Sequence, residues 1–438
     1  MIDGSESGAR SMLHDSPLRA HHASFAAAEA ERVPMLNAEA RPGAATGRRL
    51  AVALEYLPYA VPPTEGTNDT LVCGFVGSFG SVEPEYAAIR RGAALFDAAQ
   101  RGTIVVSGSE RRDFLQRMVT QDVKTLSDGM CRRSFWLNRK GRIEADLVIA
   151  ELGDVMEIYL DASRAASTVA SLREFVFSEE VSLEDVTATR HHLELHGPNA
   201  GRILALAGAT RIPAEGEAAR TTVAGVPVVL VRSDTLGERG WTIVVERRVV
   251  GDVWNAIVSA RDPLDAEDPN AHRRRARPMG WHAYNIARVE AGTPLFFIDF
   301  GPTNLPHESG VLRDRVSFKK GCYLGQEVVA RMESLGKPKQ ILAHVRPLRD
   351  LLPVAGGQVF ERTEDGAMGA QIGTITSSSL APMLSASPIA FAMVRTRFAE
   401  AGTLVIVNAE GEQCEATLGP LHSVLPGAGT RADQEKRP

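Results

Sequence analysis

The segment "SFKKGCYLGQEVVAR", residues 317–331, gathers groups that could do chemistry. Cys322 follows Lys319 and Lys320, lies between Gly321 and Gly325, and precedes Tyr323, Gln326 and Glu327. Nearby positive charge raises the thiolate fraction, and the thiolate is the nucleophilic and metal-binding form of cysteine. Two glycines permit sharp turns that can expose the sulfur. A buried cysteine acting as a small apolar side chain is the competing reading. Gln326 and Glu327 open "QEVVARM", a helix start where Glu327 favours the positive helix end.

The candidate carboxylates are scattered. In "GRIEADLVIAE" the alternation puts Glu144 and Asp146 on one strand face and Ile143, Ala145 and Leu147 on the other. On spacing alone that polar face reads as a solvent-facing sheet surface. Glu238 lies in the hairpin turn of "TLGERGWTIVV", and Glu308 in the turn "LPHES". Arg288 and Glu290 in "IARVEAG" are two apart on a helix and point in different directions. Such residues more often form ion pairs than catalytic pairs. No Ser-His-Asp order, metal-ligand spacing or phosphate-cradling glycine loop is present. Residue chemistry alone therefore gives one conspicuous thiol and several unassigned acids, and no reaction.

The elements that must position these groups follow from periodicity and breakers. A helix is expected from Glu83 to about Gly92, then the strand "GTIVVSGS", then a helix after Ser109 with Phe114, Leu115 and Met118 on one face. Two strands flank an Asn138–Gly141 turn, and a third follows Gly153. Ser163 is the expected cap of "SRAASTVASLREFVF". Pro198 is placed to begin the helix "PNAGRILALAG". A hairpin over "VPVVLVRSDTLGERGWTIVVE" and two helices, "RRVVGDVWNAIVSA" and "MGWHAYNIARVEAG", complete an α+β arrangement of antiparallel sheets with helices. After Lys337-Pro338, short strands separated by turn residues predict a small β-barrel. The expected organisation is a partly disordered extension over 1–75, an α+β domain over 76–335, a barrel over 336–425 and a tail over 426–438.

Bulk properties exclude several classes. At 438 residues the chain exceeds one core. Its 49 basic and 54 acidic residues give a net charge of -5, without a global footprint for nucleic acid. The local run "HRRRARP", His272–Pro278, follows the acidic "LDAEDPN" and reads as a solvated loop. Cysteines at 73, 131, 322 and 414 form neither a disulfide framework nor a C-x-x-C metal site, so no self-contained metal site is expected. With no span-length apolar run and no apolar core in the first residues, a cytoplasmic location is expected, without membrane contact.

The Cys322 motif, with the later "GKPKQIL", closely resembles the K-G-C-Y-x-G-Q-E hallmark of the YgfZ-type folate-binding proteins. The wider chain resembles their relative, the aminomethyltransferase (T-protein) of the glycine cleavage system. "RRGAALFDAAQRGTIVVSG", "GRIEADLVIAE", "LELHGPNAG", "LGERGWTIVV", "ARVEAGTPLF", "LPHES" and "IGTITSS" fall in that family's order over residues 83–425, with a weaker match at 16–30. The resemblance implies a clover-leaf of α+β subdomains around a central folate channel, plus the C-terminal barrel. It places tetrahydrofolate in the channel, with Asp146 at the family's catalytic carboxylate and Glu238 at the acid that holds the pterin. Tyr284, Arg288 and Glu290, in and beside the R-x-E-A-G segment, complete the expected cofactor-binding set. Tyr284 stands where the aminomethyltransferase has an arginine, and the cysteine motif is foreign to that enzyme. Both features favour the YgfZ-like branch, whose members are tied to iron–sulfur enzymes or their assembly and to some tRNA modification.

Three functions follow. The leading expectation is a monomeric, tetrahydrofolate-binding accessory protein for iron–sulfur cluster assembly or repair, with Cys322 as its functional thiol in the same cavity as the two acids. The alternatives are an aminomethyltransferase-type enzyme delivering a one-carbon unit to tetrahydrofolate, and a non-catalytic interaction module with an empty pocket.

Overall fold

In the computed structural model, the structure describes residues 16–38, 54–60, 72–262 and 275–425. Two antiparallel-rich sheets and a closed barrel organise them, as the α+β expectation requires. The first sheet runs in the order β5 (Cys131–Leu137), β6 (Ile143–Glu151), β7 (Met156–Asp161), β4 (Arg101–Ser107), β8 (Ser182–Asp185). The second runs β10 (Ala218–Val223), β11 (Val226–Arg232), β12 (Gly240–Glu246), β9 (Arg190–His196), β3 (Ala93–Asp97), β13 (Ala276–Pro278). A short ribbon pairs β1 (Tyr56–Ala60) with β2 (Val72–Val76).

Each sheet covers one face with helices. Ala145, Leu147 and Ile149 of β6 pack with Phe114 and Leu115 of α3 (Arg111–Met118) and with Ala165 and Val169 of α4 (Ala162–Arg173). In the second sheet, Leu193, Leu195 and Ile243 pack against α5 (Ala200–Leu206) and α6 (Val250–Ser259), together with Leu18 just before α1 (Arg19–Ala38). Burying each such aliphatic or aromatic side chain contributes roughly 1.5–3 kcal/mol. The opposite faces of the two sheets meet each other. Cys131, Ala150 and Tyr159 from one side pack against Ala218, Val229 and Val244 from the other. Further along that interface the contact turns polar: Thr103 Oγ1 meets His192 Nε2 at 2.8 Å. That change in character marks where the candidate site lies.

α2 (Val82–Arg91) ends at Gly92, as its breaker predicts. α7 (Trp281–Glu290) runs between the second sheet and the barrel, and the chain turns at Gly292, whose φ is +67°. α8 (Leu312–Arg315) and α9 (Gln326–Leu335) flank the Cys322 segment. The barrel closes in the order β14 (Gln340–Pro347), β17 (Ser387–Arg395), β16 (Met368–Ala381), β15 (Gln358–Arg362), β18 (Leu404–Ala409), β19 (Glu412–Pro420).

Three caps differ from expectation. α3 is capped at Glu110, because the Ser109 hydroxyl donates instead to Glu180. α4 starts one residue earlier than Ser163, because the Asp161 carboxylate accepts from the Ser163 N–H and takes the cap. α5 begins at Ala200 with Asn199 at its cap position, two residues after Pro198, the expected opening residue. Within the N-terminal extension, the segment from Ser16 is built into the core: Leu18, His22 and Ala26 are buried there. Residues 1–15, 39–53 and 61–71 of the extension, His272–Arg274 of the basic run and the tail 426–438 lie outside the described residues. Among the described residues, no helix is long and apolar enough to cross a membrane.

Candidate functional site

Asp146 owes its direction to a tight hairpin. Asn138 Oδ1 accepts from the backbone N–H of Lys140 (2.9 Å) and Arg142 (3.1 Å), and Gly141 takes φ +71°, open to glycine at low cost. From there the period of two sends Ala145 and Leu147 into the helix-covered core and Asp146 to the opposite face. That face is not solvent. The Asp146 side chain is only 18% exposed, and Arg315 at the end of α8 grips it twice, Nε to Oδ1 at 2.7 Å and Nη2 to Oδ2 at 3.4 Å. Arg315 also pairs with Asp314. Burial opposes its charge, but the two carboxylates outweigh burial and hold its pKa above the ordinary value.

The second sheet contributes Glu194. On β9, Leu193 and Leu195 face the core, so Glu194 and His196 face β4 and α7. Glu194 is fully buried, with His196 Nε2 at 3.1 Å, the Tyr284 hydroxyl at 3.2 Å and Arg101 Nε at 3.9 Å. Burial disfavours its charge, yet His196, Arg101 and Tyr284 together keep its pKa below the usual carboxylate value. Tyr284 is buried as well, stacked on Trp281 with centroids 5.7 Å apart, and burial beside Glu194 pushes its phenol upward. Arg101, at the start of β4, interacts electrostatically with Glu194, Tyr284, Asp146 and Asp161 together. Asp161 accepts the Tyr59 hydroxyl and is raised by burial, despite Ser163, Tyr59 and Arg101.

Glu238 stands in the loop between β11 and β12. Leu236 of that loop is buried in the same cluster as Tyr284 and Ala287, which fixes the loop against α7. The Glu238 side chain is 28% exposed, with Arg90 Nη1 at 3.7 Å, and burial raises its pKa. Arg90 also reaches Glu290 Oε2 at 2.8 Å and the Leu236 carbonyl at 2.7 Å. Asp146 thus belongs to one polar layer with Arg315, Arg101, Glu194 and Tyr284, whereas Glu238 belongs to a second polar group with Arg90, which also binds Glu290.

Arg288 and Glu290 do diverge, and both are engaged by the protein. Arg288 is held by Asp299 (2.7 Å), Ser377 (2.5 Å) and Asn285 (3.0 Å), tying α7 to the barrel. Glu290 accepts from Tyr86 (2.5 Å), Arg90 (2.8 Å) and the Met383 N–H (3.0 Å). Glu308 closes its own turn, accepting from Asn304 Nδ2 at 2.8 Å.

Cys322 is the exposed one of the four cysteines, while Cys73, Cys131 and Cys414 are buried. The loop around it is clamped on both sides. Before it, Lys320 turns inward and donates to the carbonyls of Gln116 (2.6 Å), Val119 (2.7 Å) and Gln121 (3.0 Å) at the end of α3. That ammonium serves the helix end rather than the thiol, and desolvation brings its pKa down to about 8. After it, Tyr323 is buried among Phe135, Leu137 and Val329, and burial moves its pKa to about 12. Gly325 takes φ +80° and a Cβ there would lie 2.7 Å from the Asn138 carbonyl, so this turn needs glycine. Gly321 has open space around it and φ outside the left-handed region; it is not a steric requirement. Gln326 and Glu327 open α9, as expected. No hydrogen bond or ion pair among the described residues joins Cys322 to either acid. The loop meets the hairpin at its turn, where Gly325 lies against the Asn138 carbonyl, and Tyr323 shares a cluster with Phe135, the cross-strand partner of Asp146. The link between the two is Arg315, whose own segment leads into the loop.

Residues 56–320 match the GCVT N-terminal domain, and residues 342–423 match the glycine cleavage T-protein C-terminal barrel domain. The chain belongs to this family. The aminomethyltransferase of Geobacillus thermodenitrificans is 28% identical over 354 residues, covering 78% of this chain and 90% of that one. That of Saccharopolyspora erythraea is 28% identical over 330 residues, covering 75% and 85%. The crystal structure of glycine cleavage system aminomethyltransferase T from Bartonella henselae superposes with a TM-score of 0.67 at 22% identity, over 85% of this chain and 93% of that chain. It shares the fold, including the barrel. Three polar residues of the layer, Arg101, Glu194 and Arg315, are absent from the expected site. Glu194 alone carried a local signal, an acid inside the apolar "HLELH"; the arginines gave none.

Proposed function

We propose that the protein binds tetrahydrofolate between Asp146 and Glu238 and acts as an aminomethyltransferase-type one-carbon transferase. The observation that carries this reading is the pair of partly exposed carboxylates, Asp146 beside Arg315 and Glu238 beside Arg90, in a chain of the T-protein family. A pterin edge offers an amino group and a ring N–H as parallel donors, which one carboxylate accepts together. Glu238, loosely held by Arg90, suits that role. Asp146, fixed by two bonds from Arg315, keeps a set direction and can stabilise positive charge developing on an attacking nitrogen. Bound folate would supply the nucleophilic nitrogen that takes up the carbon unit. Tyr284 and Glu194 are buried beside Asp146's layer and bonded to each other. The folate-binding unit is residues 76–335, and residues 336–425 form the barrel that buttresses α7.

Purified protein with tetrahydrofolate and an aminomethyl-lipoyl carrier protein tests the reading. Folate-dependent ammonia release, lost in Asp146→Asn, is the expected result. Saturable folate binding without release would leave a binding protein and refute the transferase; no binding in titration refutes both.

A second reading is favoured by the exposure of Cys322 within the YgfZ-like motif. In it, folate binding accompanies a cytoplasmic role in iron–sulfur cluster assembly or repair, with a link to tRNA modification through such enzymes. One thiolate completes no cluster, so Cys322 would act with ligands from a partner. Replacement by serine in cells should lower cluster-dependent enzyme activity; full activity in that strain removes this reading.

A further inference from the structure

The Arg101 guanidinium is the loosely held cation of the polar layer, paired with Glu194 at ion-pair range only. It has five N–H donors in a planar fork. Among the described residues it makes no hydrogen bond, and its nearest acid oxygen, on Glu194, is 3.9 Å from Nε, beyond hydrogen-bond reach. The acids around it, whose charge it favours, also have hydrogen-bond partners of their own. Asp146 is held by Arg315, Asp161 by Tyr59 and Ser163, and Glu194 by His196 and Tyr284. The side chain is about three-quarters buried, with 26% exposed. None of its nitrogens is both sealed from solvent and without a partner, so the spare donors are open to water or to an acceptor on a ligand that displaces it.

The neighbours constrain what that acceptor is. Asp146, Asp161 and Glu194 surround Arg101, so an anionic group entering there meets three carboxylates and is repelled. A neutral oxygen is compatible. We propose that Arg101 is a specificity-determining residue that donates hydrogen bonds to the ring carbonyl of the bound pterin. This rests on the folate reading above. It deepens that reading by assigning the acceptor edge of the ring to Arg101, where the carboxylates take its donors. A 4-oxo pterin offers the guanidinium an oxygen; a 4-amino pterin offers it N–H against N–H. Sites built around a hydrogen bond reject the mismatched analogue strongly.

Calorimetric titration of the full-length protein with tetrahydrofolate and with its 4-amino counterpart, tetrahydroaminopterin, tests this. The wild type should prefer the 4-oxo ligand by about tenfold or more, the range expected for a hydrogen bond to a charged donor. Arg101→Leu should bring the two ligands within about threefold, chiefly by weakening the 4-oxo form, while Arg101→Lys, which keeps a cationic donor, should retain a preference. Circular dichroism melts check that each variant folds; should the leucine variant not fold, Arg101→Gln takes its place. An undiminished preference in the variant that lacks the cation overturns the assignment, and so does a wild type that binds both ligands equally. A wild type that binds neither overturns the folate reading and this inference together, a result distinct from folate binding that ignores Arg101.

Discussion

The ion pair between Arg288 and Asp299 decides whether a residue of the family's R-x-E-A-G segment serves a ligand or the architecture. Both side chains are essentially without solvent contact, at 1% and 0% exposure. The Asp299 carboxylate accepts from Arg288 Nη1 (2.7 Å), the Leu295 N–H (2.8 Å), Ser377 Oγ (2.6 Å) and Thr376 Oγ1 (2.8 Å). Ser377 and Thr376 belong to β16, so these bonds fasten α7 to the barrel. Asp299→Ala leaves a buried guanidinium without its counter-charge and removes the acceptor of four hydrogen bonds. Breaking a buried pair in this way costs about 3–5 kcal/mol. At a urea slope of about 3 kcal/mol/M, the unfolding midpoint should fall by about 1–1.7 M.

Removing both charges should be milder. The double variant Arg288→Met, Asp299→Leu strands no charge, and apolar replacement of a buried pair is often neutral or better. Urea unfolding followed by circular dichroism compares the three proteins, with Trp fluorescence as a second probe for non-coincident transitions. The double variant should be more stable than Asp299→Ala. Its folate affinity should stay within about twofold of wild type, since the pair faces the barrel. A loss below about 1 kcal/mol for Asp299→Ala would mean that water reaches the pair. A tenfold loss of folate affinity in a fully folded double variant would return Arg288 to the binding site. Either result refutes the architectural role.

Three further outcomes are expected. Gly325→Ala forces a Cβ to within 2.7 Å of the Asn138 carbonyl at φ +80°, and should destabilise the protein by about 1–3 kcal/mol and loosen the Cys322 loop, read as faster alkylation of that thiol in the native protein; unchanged stability and alkylation would count against the clamp. Burial raises the pKa of Glu238, so its charged form costs folded-state stability and that cost is relieved as pH falls through the raised pKa; ligand donors need the carboxylate, so folate affinity should drop over the same fall in pH, and Glu238→Gln should bind weakly with that pH step removed. Burial lowers the pKa of His344 from 6.5 to about 3, so its contribution to stability is present above pH 6.5 and lost progressively as pH falls towards 3; His344→Phe should flatten acid unfolding in that window, and an unchanged profile would refute a buried neutral imidazole.

What the sequence reveals here is local. Glycine stops at 92 and 292, the Asn138–Gly141 turn and the alternation through Ala145, Asp146 and Leu147 all report interactions a few residues apart, and the corresponding elements form. Caps slip by a residue where a hydroxyl finds a distant partner, as Ser109 does in Glu180, 71 positions away. The polar layer fails to show for the same reason. Arg315 reaches Asp146 across 169 positions, and nothing near either residue announces the pairing. The alternation correctly puts Asp146 off the core face, but whether that face meets water or another sheet is set by β9 and α8. Its reading as a solvent-facing carboxylate therefore fails at the tertiary level. This has a chemical consequence. Asp146 is an acid already bonded to a guanidinium, so a ligand that uses it must either share the carboxylate's remaining lone pairs or displace Arg315. Since the chain from Arg315 runs straight into the clamped Cys322 loop, the second route would move that loop. Folate occupancy should then alter the alkylation rate of Cys322, whereas shared occupancy should leave it unchanged.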